Sequence, residues 1–155
     1  MAPLYLALYQ PDIPQNAGSL MRLSACLGIT LEIIEPAGFT LSDRALKRAG
    51  MDYIELADVV RHLSWDTFLS AVRARGSRLI LLTAHSPVSY TEFDFFPGDT
   101  LLVGRESAGA PAEVHAAADA RLKIAQRSHT RSLNVAQAAA MVVGEALRQT
   151  KGFPA

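Results

Sequence analysis

Short runs of apolar residues alternate along the chain with segments of helical periodicity. The runs are rich in Leu, Ile and Val and are bounded by Pro, Gly, Asn or Asp, which is the pattern of strands buried in a sheet. The predicted strands are residues 4–9, 31–35, 78–83, 100–104 and 121–125. Because strands that alternate with helices form parallel sheets, the sequence predicts a single α/β domain over residues 1–155, with a largely parallel sheet and helices on both faces.

Capping residues and glycines mark the ends of the predicted helices. Asn and Ser side chains accept hydrogen bonds from the first free N–H groups of a helix, and glycine commonly follows its last residue. The predicted boundaries are Asn16 to Gly28, Ser42 to Gly50, Ser64 to Gly76, a short helix that starts at Pro111, and a final helix from about Val135 to Gln149. Asn134 and Gln137 have capping-box spacing at the start of the final helix. Residues 84–99 carry a Pro-Gly turn and are predicted to be mostly loop.

Composition narrows the class of protein. Half of the 155 residues are hydrophobic and 19% are charged, a balance typical of a folded domain. Fifteen basic and fifteen acidic residues cancel, which argues against binding nucleic acid through bulk charge but leaves a local basic patch open. Cys26 is the only cysteine, so an intrachain disulfide is excluded and a reducing cytoplasm is expected. The apolar start lacks a basic leader and no apolar run is long enough to cross a bilayer, so we expect no membrane partner.

Ligands bind at the carboxyl ends of the strands in open α/β sheets, which directs attention to Thr83, Gly104 and Ile124. The segment GRESAG is similar to a dinucleotide-binding loop, but Glu106 replaces the glycine that allows close approach to a pyrophosphate. Neither a P-loop nor a nucleophile elbow occurs, and the four histidines lack metal-ligand spacing. Glycines at strand ends, Glu106 and the TRSLN segment therefore suit a site that holds a reactive cofactor rather than one that activates a protein nucleophile.

Several segments, in this order, resemble one family of RNA-modifying enzymes. They are LYQPDIPQNAGSLMRLSACLG, IIEPAGF, RAGMDY, GRESAGAP and HTRSLNVAQAAAMVVGEALRQ. Together they resemble the SPOUT superfamily of RNA methyltransferases, and most closely its small members that methylate the ribose 2′-hydroxyl at the wobble nucleotide, nucleotide 34, of tRNA. The resemblance implies a trefoil knot formed by the C-terminal segment, S-adenosylmethionine as the cofactor bound there, no metal, a tRNA substrate and a homodimer.

The resemblance also implies site residues by position. The expected catalytic residues are Asn16, Arg22, Glu106, Ser132 and Asn134. The expected cofactor-binding residues are Leu82, Thr83, Gly104, Glu106, Gly109, Ile124, Ser132 and Leu133. The expected RNA-binding residues are Arg22, Arg44, Lys47, Arg48, Arg127 and Arg131. Because arginine stays protonated in proteins, Arg22 suits holding a ribose or phosphate oxygen better than removing a proton.

Structural roles are open for some of these residues. Asn16 also suits a helix cap, Glu106 a carboxylate in the first turn of a helix, and Arg44 a solvated helix face. The final helix is apolar on most sides, which predicts burial on most sides and fits packing against a second chain.

Two other functions stay open beside wobble methylation of tRNA. The first is a 2′-O-methyltransferase that acts on ribosomal RNA or another tRNA position, because Gly144 stands where the wobble subfamily commonly has tyrosine. The second is a catalytically silent RNA-binding dimer of the same fold. It is favoured by Ala125-Gln126, which stands where the family usually has Pro-Met.

Overall fold

The computed structural model describes residues 2–40, Arg44, Arg48 and residues 56–155. The strands are β1 (Tyr5–Tyr9), β2 (Thr30–Ile34), β3 (Asp58–His62), β4 (Leu79–Leu82), β5 (Thr100–Val103) and β6 (Ala120–Leu122). The helices are α1 (Pro14–Leu27), α2 (Trp65–Ala74), α3 (Ala112–Ala117) and α4 (Val135–Thr150), with a short 3-10 helix at Tyr90–Glu92. The strands form one sheet in the order β3-β2-β1-β5-β4-β6, and every neighbouring pair is parallel.

Alternate residues of each strand face opposite sides of the sheet, as the geometry of a strand requires. In β1, Leu6 and Leu8 belong to the apolar cluster that contains the buried residues of α1 and α4. Ala7 and Tyr9 belong to a second cluster, which contains the buried residues of α2 and α3. Helices therefore cover both faces of the sheet, which confirms the architecture predicted from the alternation of strands and helices.

Most predicted helix ends are confirmed. Gly28 closes α1 in the left-handed region at φ +67°. Ser64 caps α2 through a capping box with Thr67, and Asn134 caps α4. These ends depend on hydrogen bonds between residues close in the sequence, and the sequence pattern was sufficient to locate them.

The predicted start of α1 is wrong. Ile13 is the N-cap residue, without a side-chain cap, and the helix begins at Pro14, so Asn16 lies inside the first turn. Proline favours the first helical position because its φ is already helical and its missing N–H would have no partner there. The start expected for the short helix at Pro111 is also wrong by one residue, because Pro111 is the N-cap residue and α3 begins at Ala112.

The sequence pattern missed β3 and misplaced β6. The residues of β3 are partly or fully exposed at the edge of the sheet, so they form no apolar run. The strand predicted at 121–125 is shorter and ends at Leu122. Beyond it, Lys123 exchanges backbone hydrogen bonds with Val88 and Tyr90, which turns the chain away from β4.

The helix predicted between Ser42 and Gly50 lies mainly outside the described residues. Within it, the structure shows Arg44 and Arg48 in helical backbone and exposed. None of the helices in the described ranges is long and apolar enough to cross a membrane.

Candidate active site

A pocket of about 530 Å³ opens at the carboxyl ends of β4 and β5, beside the segment that precedes α4. Its volume is within the range of small-molecule sites, and its position is the edge at which open α/β sheets bind ligands. The wall combines apolar and polar side chains, among them Leu82, Val103, Ile124, Leu133, Val135, Ala138, Asn16, Thr83, Glu106, Gln126, Ser132 and Asn134. This composition suits a ligand that has both a flat apolar part and a polar part.

The turn after β5 is built on two glycines. A Cβ on Gly104 would come within 2.7 Å of the carbonyl carbon of Gly109, so the two backbone segments pack too closely for any side chain. Gly109 has φ +66°, a conformation that favours glycine. Two backbone hydrogen bonds between Arg105 and Gly109, at 3.0 and 2.8 Å, close the turn. The shape of this wall of the pocket therefore depends on both glycines.

Two carboxyl groups fasten this turn to the loop after β1. The backbone N–H of Asp12 donates to Oε2 of Glu106 at 3.0 Å, and the hydroxyl of Ser107 donates to the carboxylate of Asp12. Hydrogen bonds with Glu106 and Ser107 lower the pKa of Asp12. Burial, followed by the hydrogen bond with Asp12, raises the pKa of Glu106. As the pH falls, the pair therefore takes up its proton on Glu106 first and keeps its negative charge on Asp12.

The segment before α4 is held by side-chain amides. Oε1 of Gln126 accepts a hydrogen bond from the backbone N–H of Leu133 at 3.1 Å. Oδ1 of Asn134 accepts from two N–H groups in the first turn of α4, at 2.9 and 3.3 Å. Nδ2 of Asn134 donates to Oδ1 of Asn16 on α1 at 3.0 Å. One asparagine therefore both caps α4 and joins it to α1 at the wall of the pocket.

The two functions of Asn134 are separable by mutation. Asn134→Ala is expected to lower the free energy of unfolding by about 1–2 kcal/mol, because it leaves two helix N–H groups without the cap and removes the bond to α1. Asn134→Ser keeps a capping oxygen but is too short to reach Asn16, so it should recover most of that loss. Urea unfolding of both variants measures the difference. Equal destabilisation by serine and alanine would show that capping is not the main contribution.

Most of the chain matches the model of one known protein family. Residues 3–144 match the family described as the SpoU rRNA Methylase family. The chain belongs to the SpoU methylase family. This assignment agrees with the resemblance found in the sequence motifs.

Relatives of this SpoU methylase align over nearly its whole length. It is 58% identical to the tRNA (cytidine(34)-2′-O)-methyltransferase of Beijerinckia indica, over 93% of this chain and 90% of that protein. It is 42% identical to the protein of the same name in Escherichia coli K12, over 97% of this chain and 96% of that protein. The similarity therefore extends through every element of the fold.

Solved structures of related proteins share the fold. One, described as giving structural insights into the 2-OH methylation of C/U34 on tRNA, superposes with a TM-score of 0.90 at 46% identity, over 94% of this chain and 95% of that chain. The SpoU methyltransferase AviRb from Streptomyces viridochromogenes, in complex with the cofactor AdoMet, gives a TM-score of 0.87 at 27% identity. That match covers 94% of this chain and 59% of the AviRb chain.

The structure brings most of the expected site residues of this SpoU methylase together. All the expected cofactor-binding residues line the pocket: Leu82, Thr83, Gly104, Glu106, Gly109, Ile124, Ser132 and Leu133. Of the expected catalytic residues, Asn16, Glu106, Ser132 and Asn134 line it as well. Arg22 does not line it and is exposed on α1.

The expected RNA-binding residues that the structure describes lie outside the pocket wall. Arg127 and Arg131 are exposed on the segment before α4, and Arg44 and Arg48 are exposed in helical backbone. Lys47 lies outside the described residues. In the part of the chain that the structure describes, no three His, Cys, Asp or Glu side chains are grouped so that they could hold a metal ion.

Reasoning from the sequence missed two residues of the site. Asp12 lies within a recognised motif, but its partner Glu106 is 94 positions away, so no local pattern connects them. Gln126 attracted attention only because it replaces a residue that is usual in the family. In the sequence, the only feature that marked Gln126 as a possible site residue was its side-chain amide close to the end of a predicted strand, and many residues outside binding sites share that feature.

Proposed function

We propose that this SpoU methylase transfers a methyl group from S-adenosylmethionine to the ribose 2′-hydroxyl of nucleotide 34 in tRNA. The observation that carries the proposal is the 58% identity, over 93% of the chain, to a relative named tRNA (cytidine(34)-2′-O)-methyltransferase. The name of the family refers to rRNA, but the relatives that align along nearly the whole chain are named for tRNA. This favours tRNA over ribosomal RNA as the substrate.

The pocket fits S-adenosylmethionine in size and in the chemistry of its wall. Apolar residues such as Leu82, Ile124 and Ala138 suit the adenine ring, and Gly104 lies in the same wall. When bound, the cofactor supplies a methyl group on a positively charged sulfur. A solved SpoU methyltransferase of the same fold is described with AdoMet, which supports the same cofactor here.

The residues of the chain have the tasks of binding, orienting and excluding water, because the cofactor carries the reactive group. Ser132 lines the pocket, and we assign its hydroxyl to orient the ribose 2′-hydroxyl. Asn134 already uses its amide for the cap and for Asn16, which supports a positioning role for both asparagines. Glu106 has a positioning role through Asp12, which holds the turn at the end of β5.

The RNA is proposed to bind across exposed arginines around the pocket. Arg127 and Arg131 belong to the segment that forms one wall, and Arg22 projects from the exposed side of α1. A guanidinium group donates in a planar fork that matches phosphate oxygens. We therefore assign these side chains to phosphates near the target ribose, and Arg44, Lys47 and Arg48 to phosphates farther along the tRNA.

Chain topology and the surface of α4 support a knotted homodimer. After β6, at the far edge of the sheet, the chain returns past the pocket to α4, which packs against α1, and this crossing supports the trefoil knot. α4 buries Ala139, Val142 and Val143 but leaves Met141 43% exposed. The sequence predicts that α4 is buried on most sides. Within one chain the side of α4 that carries Met141 stays exposed, and a second copy packed against it would bury that side.

Because Cys26 is free and exposed, we propose a reducing cytoplasm as the location of the protein.

Two measurements test the function. Isothermal titration calorimetry with S-adenosylmethionine is expected to show one site per chain. Mass spectrometry of tRNA nucleosides from a deletion strain is expected to show loss of a wobble 2′-O-methyl group, restored by the wild-type chain. Complementation with Gly104→Ala should fail, because the new Cβ would meet the backbone at 2.7 Å and distort the pocket wall.

The alternatives predict different results in the same experiments. A methyl group lost from ribosomal RNA or from another tRNA position, with nucleotide 34 unchanged, would assign a different substrate to the same chemistry. Absence of cofactor binding would indicate the catalytically silent RNA-binding protein and would contradict the proposal.

A further inference from the structure

Gln126 joins the two ends of the loop that forms one wall of the pocket. The loop runs from Gln126 to Leu133, both of which line the pocket, and most of its residues are exposed. The hydrogen bond from the N–H of Leu133 to Oε1 of Gln126 is 3.1 Å long. In the described part of the chain, no backbone hydrogen bond joins these two ends. The loop is therefore closed by a side chain, not by the backbone.

The interior of the loop has its own local order. The hydroxyl of Thr130 donates to the carbonyl of Arg127 at 2.7 Å, and His129 has φ +71°, which is unusual for a residue other than glycine. These contacts shape the turn of the loop but do not connect it to the pocket. Asn134 holds the far end of the loop on α4, and the amide of Gln126 joins that end to the segment after β6, so the position of Ser132 and Leu133 depends on both contacts.

We propose that Gln126 is a positioning residue that holds this wall in the shape that binds the cofactor. The proposal rests on the proposed function, because it takes the pocket to bind S-adenosylmethionine. A loop that is closed before the ligand arrives loses less conformational freedom on binding, and this raises affinity without any new contact to the ligand. The Ala125-Gln126 sequence then does not indicate a catalytically silent protein, because Gln126 restrains the loop with its own side chain.

Two substitutions distinguish the effect of the hydrogen-bond acceptor of Gln126 from the effect of the size of its side chain. Gln126→Met has nearly the same length but no strong acceptor, so it opens the loop. Gln126→Glu keeps an oxygen for the N–H of Leu133 but lacks the amide N–H groups, which have no partner among the described residues. Gln137→Met is the matched control, since Gln137 is exposed on α4 and does not line the pocket.

Amide hydrogen exchange measured by NMR on the protein without ligand tests the loop itself. The amide of Leu133 is expected to be protected in the wild type and in Gln126→Glu, and to exchange about fivefold or more faster in Gln126→Met, as expected for the loss of one hydrogen bond. Equal protection in all three proteins would overturn the proposal without any reference to the cofactor.

Calorimetry with S-adenosylhomocysteine tests the consequence for binding. Gln126→Met is expected to raise the Kd for S-adenosylhomocysteine about fivefold, which corresponds to the net free energy of one hydrogen bond. In turnover its KM for S-adenosylmethionine should rise similarly, because the loop forms one wall of the proposed cofactor pocket. Gln126→Glu and Gln137→Met should bind like the wild type.

The outcomes separate this inference from the proposed function. If the wild type does not bind the cofactor, the proposed function fails. If the wild type binds and Gln126→Met binds equally well, only the positioning role fails. If Gln126→Glu loses as much affinity as Gln126→Met, the amide N–H groups contact the ligand directly and the positioning role is also overturned.

Discussion

Replacing Glu106 with alanine is expected to lower kcat/KM for methyl transfer about 100-fold, the effect of displacing site groups by roughly an ångström. Glu106 accepts a hydrogen bond from the backbone of Asp12, and its neighbour Ser107 bonds to the side chain of Asp12. Alanine removes the first contact and leaves a partly buried N–H without an acceptor, so of these two contacts only that of Ser107 still holds the turn after β5 to the loop after β1. Steady-state kinetics with tRNA and S-adenosylmethionine measures the loss.

Glu106→Gln provides the matched control. Its amide oxygen still accepts from the N–H of Asp12, so we expect a loss of less than about tenfold, the size of one weakened hydrogen bond. Glu113→Gln, exposed on α3 and outside the pocket wall, should be as active as the wild type. Equal losses in the alanine and glutamine variants would mean that the carboxylate itself, not the fastening of the turn, is what the reaction needs.

Glu32→Ala is expected to lower the free energy of unfolding by about 3–5 kcal/mol, as found when one partner of a buried ion pair is removed. Glu32 is 1% exposed on β2, and its two carboxylate oxygens accept from the guanidinium of Arg75 at 2.9 and 2.7 Å. His62 contacts the same carboxylate at 2.8 Å, and Arg75 also donates to Thr100 and stacks on Tyr5. The substitution leaves the charge of Arg75 uncompensated and removes the ion pair between the end of α2 and β2.

Urea unfolding of a small set of variants tests this assignment. Arg75→Ala should be destabilised at least as strongly as Glu32→Ala, because it leaves a carboxylate buried without its cation. The double variant Glu32→Leu with Arg75→Leu should regain much of the loss, since it buries no charge. Arg148→Ala breaks an exposed pair with Glu145 and should leave the midpoint unchanged. A double variant as unstable as the singles would contradict the view that the unpaired charge is the main cost.

Features that depend on residues close together in the sequence were predictable from it. Apolar runs located the buried strands β1, β2, β4 and β5, and capping residues located the ends of α2 and the start of α4. The exposed edge strand β3 was missed because pairing on one side leaves no apolar pattern in its residues. The sequence around α1 is compatible with two helix starts, a cap at Asn16 and a first residue at Pro14. In the structure the helix begins at Pro14.

A parallel α/β domain follows from the sequence pattern, and the sequence motifs pointed to the family and to the residues that line the pocket. The contacts by which those residues hold one another depend on the three-dimensional fold. Glu106 contacts Asp12 across 94 positions, Asn134 contacts Asn16 across 118, and the amide of Gln126 closes a loop that the sequence marked only weakly. The physical reason is that capping and strand burial depend on neighbouring residues and on periodicity. A hydrogen bond between distant loops exists only where the sheet order has brought their strand ends to one edge.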